Sequence, residues 1–168
     1  TSSGKTEIYI KLIKEQLEQH KQVLYLLPEI ALTTQIIERL QIFFGAYLSV
    51  YHSKYSMNER VEVWNNALQN KKKAQLVLGA RSSLLLPFSN LGLIIVDEEH
   101  EPSFKQTNPA PRYHARDAAI VLAQQFKAKV LLGSATPSIE TFYNTQQDKF
   151  GLVELNRRYG DVLLPEIE

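Results

Sequence analysis

The chain has 168 residues, 19 Lys+Arg against 18 Asp+Glu, 44% hydrophobic residues and no cysteine. That length fits one globular domain whose core needs no covalent staples, and the missing thiol excludes disulfides, cysteine-based zinc sites and thiol catalysis. A formal charge of +1 excludes a uniformly basic nucleic-acid coat but allows a local basic groove. No uncharged apolar run approaches the ~20 residues of a membrane span, and the basic-then-apolar layout of a signal peptide is missing; the expectation is a soluble protein with no membrane partner.

In chain order, Ile8, Leu12, Ile13 and Leu17 fall on one helical face, and Val23 to Leu27 then form a continuous apolar run. Leu32, Ile36, Leu40 and Phe43 define a second helical face, followed by the run Leu48 to Tyr51. A third face holds Val61, Trp64 and Leu68, opened by Ser56-Met57-Asn58-Glu59, whose spacing lets Ser and Glu cap the helix reciprocally. Lys71-Lys72-Lys73 reads as a solvated turn before the run Leu76 to Leu78. Next come Leu93 to Val96, a helical pattern from His114 to Phe126, the run Val130 to Leu132, and a helix from Ser138 with Pro137 at its first turn. Short continuous apolar runs are the signature of strands buried on both faces of a parallel sheet. Alternating with helices, they predict an α/β domain, a mostly parallel sheet with helices on both faces and right-handed crossovers. Two stretches break the alternation: His100 to Arg112, a working loop inside the domain, and residues 156–168, a linker leading away from a lobe spanning 1–155.

In open parallel sheets the ligand crevice lies outside the carboxyl ends of the strands. Pro28-Glu29, Gly79-Ala80-Arg81-Ser82, Asp97-Glu98-Glu99-His100 and Gly133-Ser134-Ala135-Thr136-Pro137 all follow predicted strands, so one rim collects them. Gly4-Lys5-Thr6, just ahead of the first helical pattern, matches the second half of the phosphate-loop (P-loop) motif. There Gly4 lets backbone approach a phosphate, Lys5 sets a cation on the β/γ oxygens, and Thr6 offers a hydroxyl to Mg²⁺. The alternative is a capped helix start with a surface lysine. Asp97-Glu98-Glu99-His100 supplies what a phosphate loop lacks, a carboxylate for the Mg²⁺ shell and another to orient or deprotonate the attacking water; the bland alternative is an acidic helix cap.

The series G-K-T, L-P-E-I, G-A-R-S, D-E-E-H and G-S-A-T-P resembles the first RecA-like lobe of the superfamily-two helicases. D-E-E-H with L-P-E-I and R-Y-H-A-R-D narrows the resemblance to the primosomal replication-restart DNA helicases, over nearly the whole chain. The resemblance implies an ATP-binding, ATP-hydrolysing lobe: Lys5 and Thr6 hold phosphate and Mg²⁺, Asp97 completes the metal site, and Glu98 is the catalytic carboxylate. His100 would link this site to Ser134 and Thr136, which couple hydrolysis to movement. It further implies a bacterial, cytoplasmic, nucleoid-associated protein acting on single-stranded or forked DNA with primosome and single-strand-binding proteins. A second lobe, an N-terminal DNA-binding region and a zinc-binding module would lie outside this chain, so the isolated lobe should not unwind DNA.

The loop from His100 to His114 resembles the aromatic-rich loop by which this family and the RecQ helicases sense DNA. Phe104, Tyr113 and His114 would offer stacking faces, and Lys105 and Arg112 phosphate contacts; base stacking of that kind contributes ~1–3 kcal/mol per base and tolerates any sequence. The alternative is that Tyr113 and His114 pack at a helix start. Arg81 with Ser82 and Ser83, and Glu29 with Thr33, fall where such helicases touch the DNA backbone, although Glu29 is also placed to cap the next helix. Ser2 stands where this group has glycine, and the leading phosphate-loop glycine is not in the chain. Two rival readings follow: a nucleotide-free DNA- or protein-binding module on the same fold, and the lobe of an RNA helicase or restriction-type translocase.

Overall fold

A computed structural model of the protein describes residues 4–52 and 55–155. Residues 1–3, including Ser2, and the expected linker 156–168 lie outside the described residues. Strands β1 (Gln22–Leu26), β2 (Leu48–Tyr51), β3 (Leu76–Gly79), β4 (Leu91–Asp97) and β5 (Lys129–Gly133) form one sheet in the order β2-β3-β1-β4-β5. Every pairing is parallel. β1 and β3 are buried along their whole length, as their unbroken Val/Leu/Tyr runs require.

Helices α1 (Lys5–Glu18) and α2 (Thr34–Phe44) supply Tyr9, Ile10, Ile13, Leu17, Leu40 and Phe44 to one face of the sheet. Helices α3 (Met57–Leu68) and α4 (Ala115–Phe126) supply Val63, Ala67, Ala115, Ala119 and Ala123 to the other. A fully buried Leu or Ile in such a core contributes ~1.5–3 kcal/mol relative to exposure, and Ile94 and Ile95 on β4 serve opposite faces. Helix α5 (Ile139–Gln146) follows β5 and is capped by Ser138, whose hydroxyl accepts from Thr141 N–H.

Helix orientation departs from expectation. On α1 the buried side is Tyr9, Ile10, Ile13 and Leu17, with Ile8 turned outward. On α2 Phe44 is buried where Phe43 was expected. On α3 the expected core face is the solvent face: Val61, Trp64 and Leu68 are exposed, Trp64 at 44%, while Val63, Asn66 and Ala67 meet the sheet. The capping box that opens α3 is present in both directions, Ser56 hydroxyl from Glu59 N–H and Glu59 carboxylate from Ser56 N–H.

Candidate functional site

Gly4 is the N-cap of α1 at φ 75°, a left-handed conformation that glycine adopts without steric cost. It brings no side chain to the first-turn N–H groups, so the positive end of the helix stays suited to an anion. Lys5 begins α1 and is only 9% exposed; its ammonium donates to Glu98 Oε1 at 3.0 Å and lies 3.5 Å from Asp97 Oδ1. Thr6 follows in the same turn, half-buried. Residues far apart in the chain therefore meet because α1 starts beside the carboxyl end of β4.

Asp97 closes β4 in register with Gly133 at the end of β5. The Tyr9 hydroxyl donates to Asp97 Oδ1 and the Tyr25 hydroxyl to Oδ2, each at 3.1 Å, and Glu98 N–H donates to Oδ1 at 3.1 Å. Burial, reinforced by the Asp97 charge, pushes both phenols far above their ordinary pKa of 10.0, so they remain donors at neutral pH. Glu98 itself adopts φ 50°, left-handed and uncommon for a residue with a side chain. That turn aims its other oxygen toward His100, 3.8 Å away. His100 Nδ1 lies 2.7 Å from Ser134 Oγ, which also accepts from Thr136 N–H at 3.0 Å. Thr136 thus joins the chain of bonds through its backbone, its side chain being exposed.

Glu99 is the residue of this turn that motif reasoning passed over. It is 1% exposed and accepts from Arg116 Nη1 (3.2 Å), Ser138 N–H (2.7 Å), Ser138 Oγ (3.1 Å) and Thr141 Oγ1 (2.9 Å). Burial works against its charge, but these donors outweigh burial and hold its carboxyl below the ordinary value. The cluster ties the turn after β4 to the starts of α4 and α5. Sequence offered one signal: an Asp-Glu-Glu run in which the third acid had no partner assigned, and an arginine in the first turn of the next helix.

Lys105 and His114 form an antiparallel bridge, and Gln106 N–H donates to Tyr113 O at 2.8 Å, so the loop between them closes on itself. The Gln106 amide reaches Pro109 O and Pro111 O across it, and Arg112 Nε donates to Thr107 O at 3.0 Å. Lys105 and Arg112 are exposed. Arg81, in a short 3-10 helix Arg81–Leu85, donates from Nη1 to Ser103 O (2.9 Å) and Lys105 O (3.0 Å), and Tyr113 OH donates to Arg81 O at 3.4 Å. His114 is the N-cap of α4; its Nδ1 is buried without a hydrogen-bond partner among the described residues, and burial with the neighbouring Arg116 charge lowers its pKa from 6.5, so the ring is neutral at pH 7.

With a lysine, two acids and a histidine–serine link gathered on one rim, comparison with known proteins is decisive. The sequence profile of the DEAD/DEAH box helicases matches residues 1–145. The chain belongs to that family. It is similar to the replication restart protein PriA of Haemophilus influenzae, 48% identical over 96% of this chain and 22% of that protein. It is similar also to PriA of Rickettsia felis, 50% identical over 100% of this chain and 26% of that protein. The chain therefore spans about a quarter of the length of these curated relatives. The helicase domain of Hef from Pyrococcus furiosus shares the fold at a TM-score of 0.54 and 20% identity, covering 89% of this chain and 31% of that one. The expected RecA-like α/β fold of a helicase lobe is the observed one.

Within this DEAD/DEAH box lobe the expected residues fall into two groups, with two exceptions. Gly4, Lys5, Thr6, Asp97, Glu98, His100, Ser134 and Thr136 gather at or lead into one rim. Arg81, Ser82, Lys105, Arg112, Tyr113 and His114 lie beside it on the loop and the 3-10 helix that Arg81 binds together. Two expectations are corrected. Phe104 is 1% exposed and packs in the core with Phe88, Val96 and Ala115, so its ring offers no stacking face. Ser83 is fully buried and its hydroxyl donates to Ala80 O, so it cannot meet a phosphate. Both were misplaced because an apolar or small residue in a polar loop shows its chemistry in the sequence but not its burial. Glu29 sits in a short 3-10 helix ahead of α2, whose N-cap position is held by Thr33.

Helicases of this family use ATP and Mg²⁺, and the chemistry of the rim fits that metal. Mg²⁺ is held by one or two carboxylates with hydroxyl, water and substrate phosphate oxygens. The Asp97 carboxylate and the Thr6 hydroxyl are donors of that class. A carboxylate offers about four acceptor sites; among the described residues three on Asp97 are taken, leaving one on Oδ2.

Proposed function

We propose that residues 1–155 are the ATP-binding lobe of an ATP-dependent DNA helicase that translocates on single-stranded DNA and serves replication restart through primosome assembly. Residues 156–168 then lead to a second lobe of the whole protein, whose partners are forked or single-stranded DNA, primosome proteins and single-strand-binding protein. A bacterial, cytoplasmic and nucleoid-associated setting, with zinc held only in a module outside this chain, belongs to the same reading, and so does inactivity of the lobe alone. The observation that carries it is the convergence of Lys5, Asp97 and Glu98 within 3.5 Å beside the His100–Ser134 contact. A pure binding module has no use for two acids held around a phosphate-loop lysine and bonded onward to a second turn.

Each residue has a distinct task. The α1 N-terminus and Lys5 bind the β/γ phosphates, and Lys5 exchanges its contact with Glu98 for the anion. Thr6 and Asp97 would hold Mg²⁺, which would offset charge on the phosphate oxygens. Glu98, released from Lys5, orients the attacking water and takes its proton. His100 senses the position of Glu98 and passes it to Ser134 and the Thr136 backbone. Arg81, Ser82, Lys105, Arg112, Tyr113 and the neutral His114 meet DNA, and the loop from Lys105 to His114, which Arg81 binds, returns that contact to the turn holding Glu98.

Lys5→Ala and Glu98→Gln, placed singly in the whole protein, are expected to lower DNA-stimulated ATP turnover by roughly 10²–10⁴-fold. Normal turnover in either variant removes the role assigned to that residue. Stimulation by single-stranded RNA equal to that by DNA would favour the RNA-helicase reading. Absence of Mg²⁺-dependent ATP binding in the whole protein would favour the binding module.

A further inference from the structure

Tyr9 and Tyr25 belong to no motif, yet they make the most specific contacts in the site. Tyr9 lies one turn after Lys5 on α1, so the same helix face presents an ammonium and a phenol to Asp97. Tyr25 pairs with Ile95 across β1 and β4, and Asp97 two residues on shares that face of the sheet. The two rings, 3% and 0% exposed, meet edge to face at 5.6 Å and 82°. Packing alone would be served by phenylalanine, which fills the same space without a buried hydroxyl that needs a partner.

A third residue is shaped to the arrangement. A Cβ at Gly133 would stand 1.8 Å from the Tyr9 hydroxyl and 3.2 Å from Asp97 Oδ1. The end of β5 is therefore open only because position 133 lacks a side chain, and the Tyr9 hydroxyl occupies that notch to reach the carboxylate.

We propose that Tyr9 and Tyr25 are positioning residues: they clamp the two oxygens of Asp97 in one orientation, leaving a single acceptor site on Oδ2 for Mg²⁺ or a water bound to it. This rests on the nucleotide-site reading above. A carboxylate on a strand end otherwise rotates about its side-chain torsions, and fixing it beforehand lowers the cost of ordering when nucleotide and metal arrive. Partners behind a metal ligand commonly account for 10–100-fold in metal affinity.

The test uses the whole protein, a fluorescent ATP analogue and a Mg²⁺ titration of its binding. Tyr9→Phe and Tyr25→Phe, made singly, are each expected to raise the half-saturating Mg²⁺ concentration by about tenfold. Their Mg²⁺-free nucleotide affinity and their Tm should stay at the parent values, a split that a merely structural role would not produce. Gly133→Ala should raise the Mg²⁺ midpoint in the parent and add a smaller rise in the Tyr9→Phe background, because its closest clash, 1.8 Å, is with the hydroxyl, while the contacts to the ring carbon Cζ at 3.0 Å and to Asp97 Oδ1 at 3.2 Å remain. A Mg²⁺ midpoint unmoved in both phenylalanine variants overturns the clamp, as does an equal loss of affinity with and without Mg²⁺. Lys5→Ala separates the two claims: it should weaken analogue binding in every condition, and if it does not, the nucleotide-site reading itself fails.

Discussion

Glu98 and Glu99 are adjacent acids with opposite surroundings. Glu98 is partly open, bends the chain at φ 50° and pairs with Lys5 at the start of α1. A left-handed residue of this kind costs about 1–2 kcal/mol. The backbone tolerates it because Asp97 Oδ1 binds the Glu98 N–H and Glu99 is anchored on its other side, its N–H donating to Gly133 O. Glu99 is a permanent ion pair with Arg116 in a buried site. Its folded pKa is depressed below 4.5, so its stabilisation is present at neutral pH and is lost as pH falls through the folded value. Glu99→Gln is expected to cost about 1–3 kcal/mol at neutral pH, because Arg116 loses its buried partner and keeps only the exposed Asp117, at 2.8 Å, and Glu140, at 4.0 Å. Urea unfolding of the variant and the parent should converge only as the pH falls through the folded pKa of Glu99, which lies beneath its ordinary 4.5. Of these residues, Lys5, Asp97 and Glu98 were legible in the sequence, since each sits in a short contiguous motif whose chemistry is local. Glu99, Tyr9 and Tyr25 were not, because their partners lie 17 to 88 positions away along the chain.

Elements tell a similar story in the language of periodicity. The strands appeared as short, mostly apolar runs, and each run stands within the strand it predicted except for Leu27, one residue past the end of β1. The α3 capping box formed as its spacing required, being set by residues three apart. The burial face of α3 did not follow. Val61, Trp64 and Leu68 share a side, but periodicity fixes which residues lie together, not which side meets the sheet. The sheet side took Val63, Asn66 and Ala67, and Ala67 is fully buried where helix and sheet approach. Trp64→Ser should therefore change stability by less than about 1 kcal/mol, within the range of surface substitutions. Ala67→Leu, which forces methylenes into a filled contact, should cost about 1–3 kcal/mol. Thermal unfolding of the pair decides which face is the core, and a larger loss from Trp64→Ser would reverse the assignment.

At the scale of the molecule, the sheet converts sequence order into a rim. All five strands run the same way, so the turns after β1, β3, β4 and β5 emerge at one edge. The Ser134 hydroxyl, between His100 and the Thr136 backbone, joins the turn after β4 to the turn after β5. On the proposed helicase function, Ser134→Ala in the whole protein should leave Mg²⁺-nucleotide binding unchanged and lower strand separation per ATP hydrolysed by up to about tenfold, the worth of one neutral hydrogen bond. Parallel assays of ATP turnover and duplex unwinding measure that ratio; an unchanged ratio would place coupling elsewhere. Among the described residues no helix is long and apolar enough to cross a membrane.

By itself the amino-acid sequence determined which short motifs occur and in what order: a Gly-Lys-Thr helix start, an acidic turn, a serine–threonine turn, and the strands that deliver them. These depend on neighbours a few residues apart, and short-range rules reach that far. Tertiary structure alone decided that Phe104 is core, that α3 turns Trp64 to water, that Glu99 anchors two helices and that two tyrosines hold Asp97. Burial and hydrogen-bond partnership belong to pairs of distant residues, and only the packed sheet brings those pairs within contact.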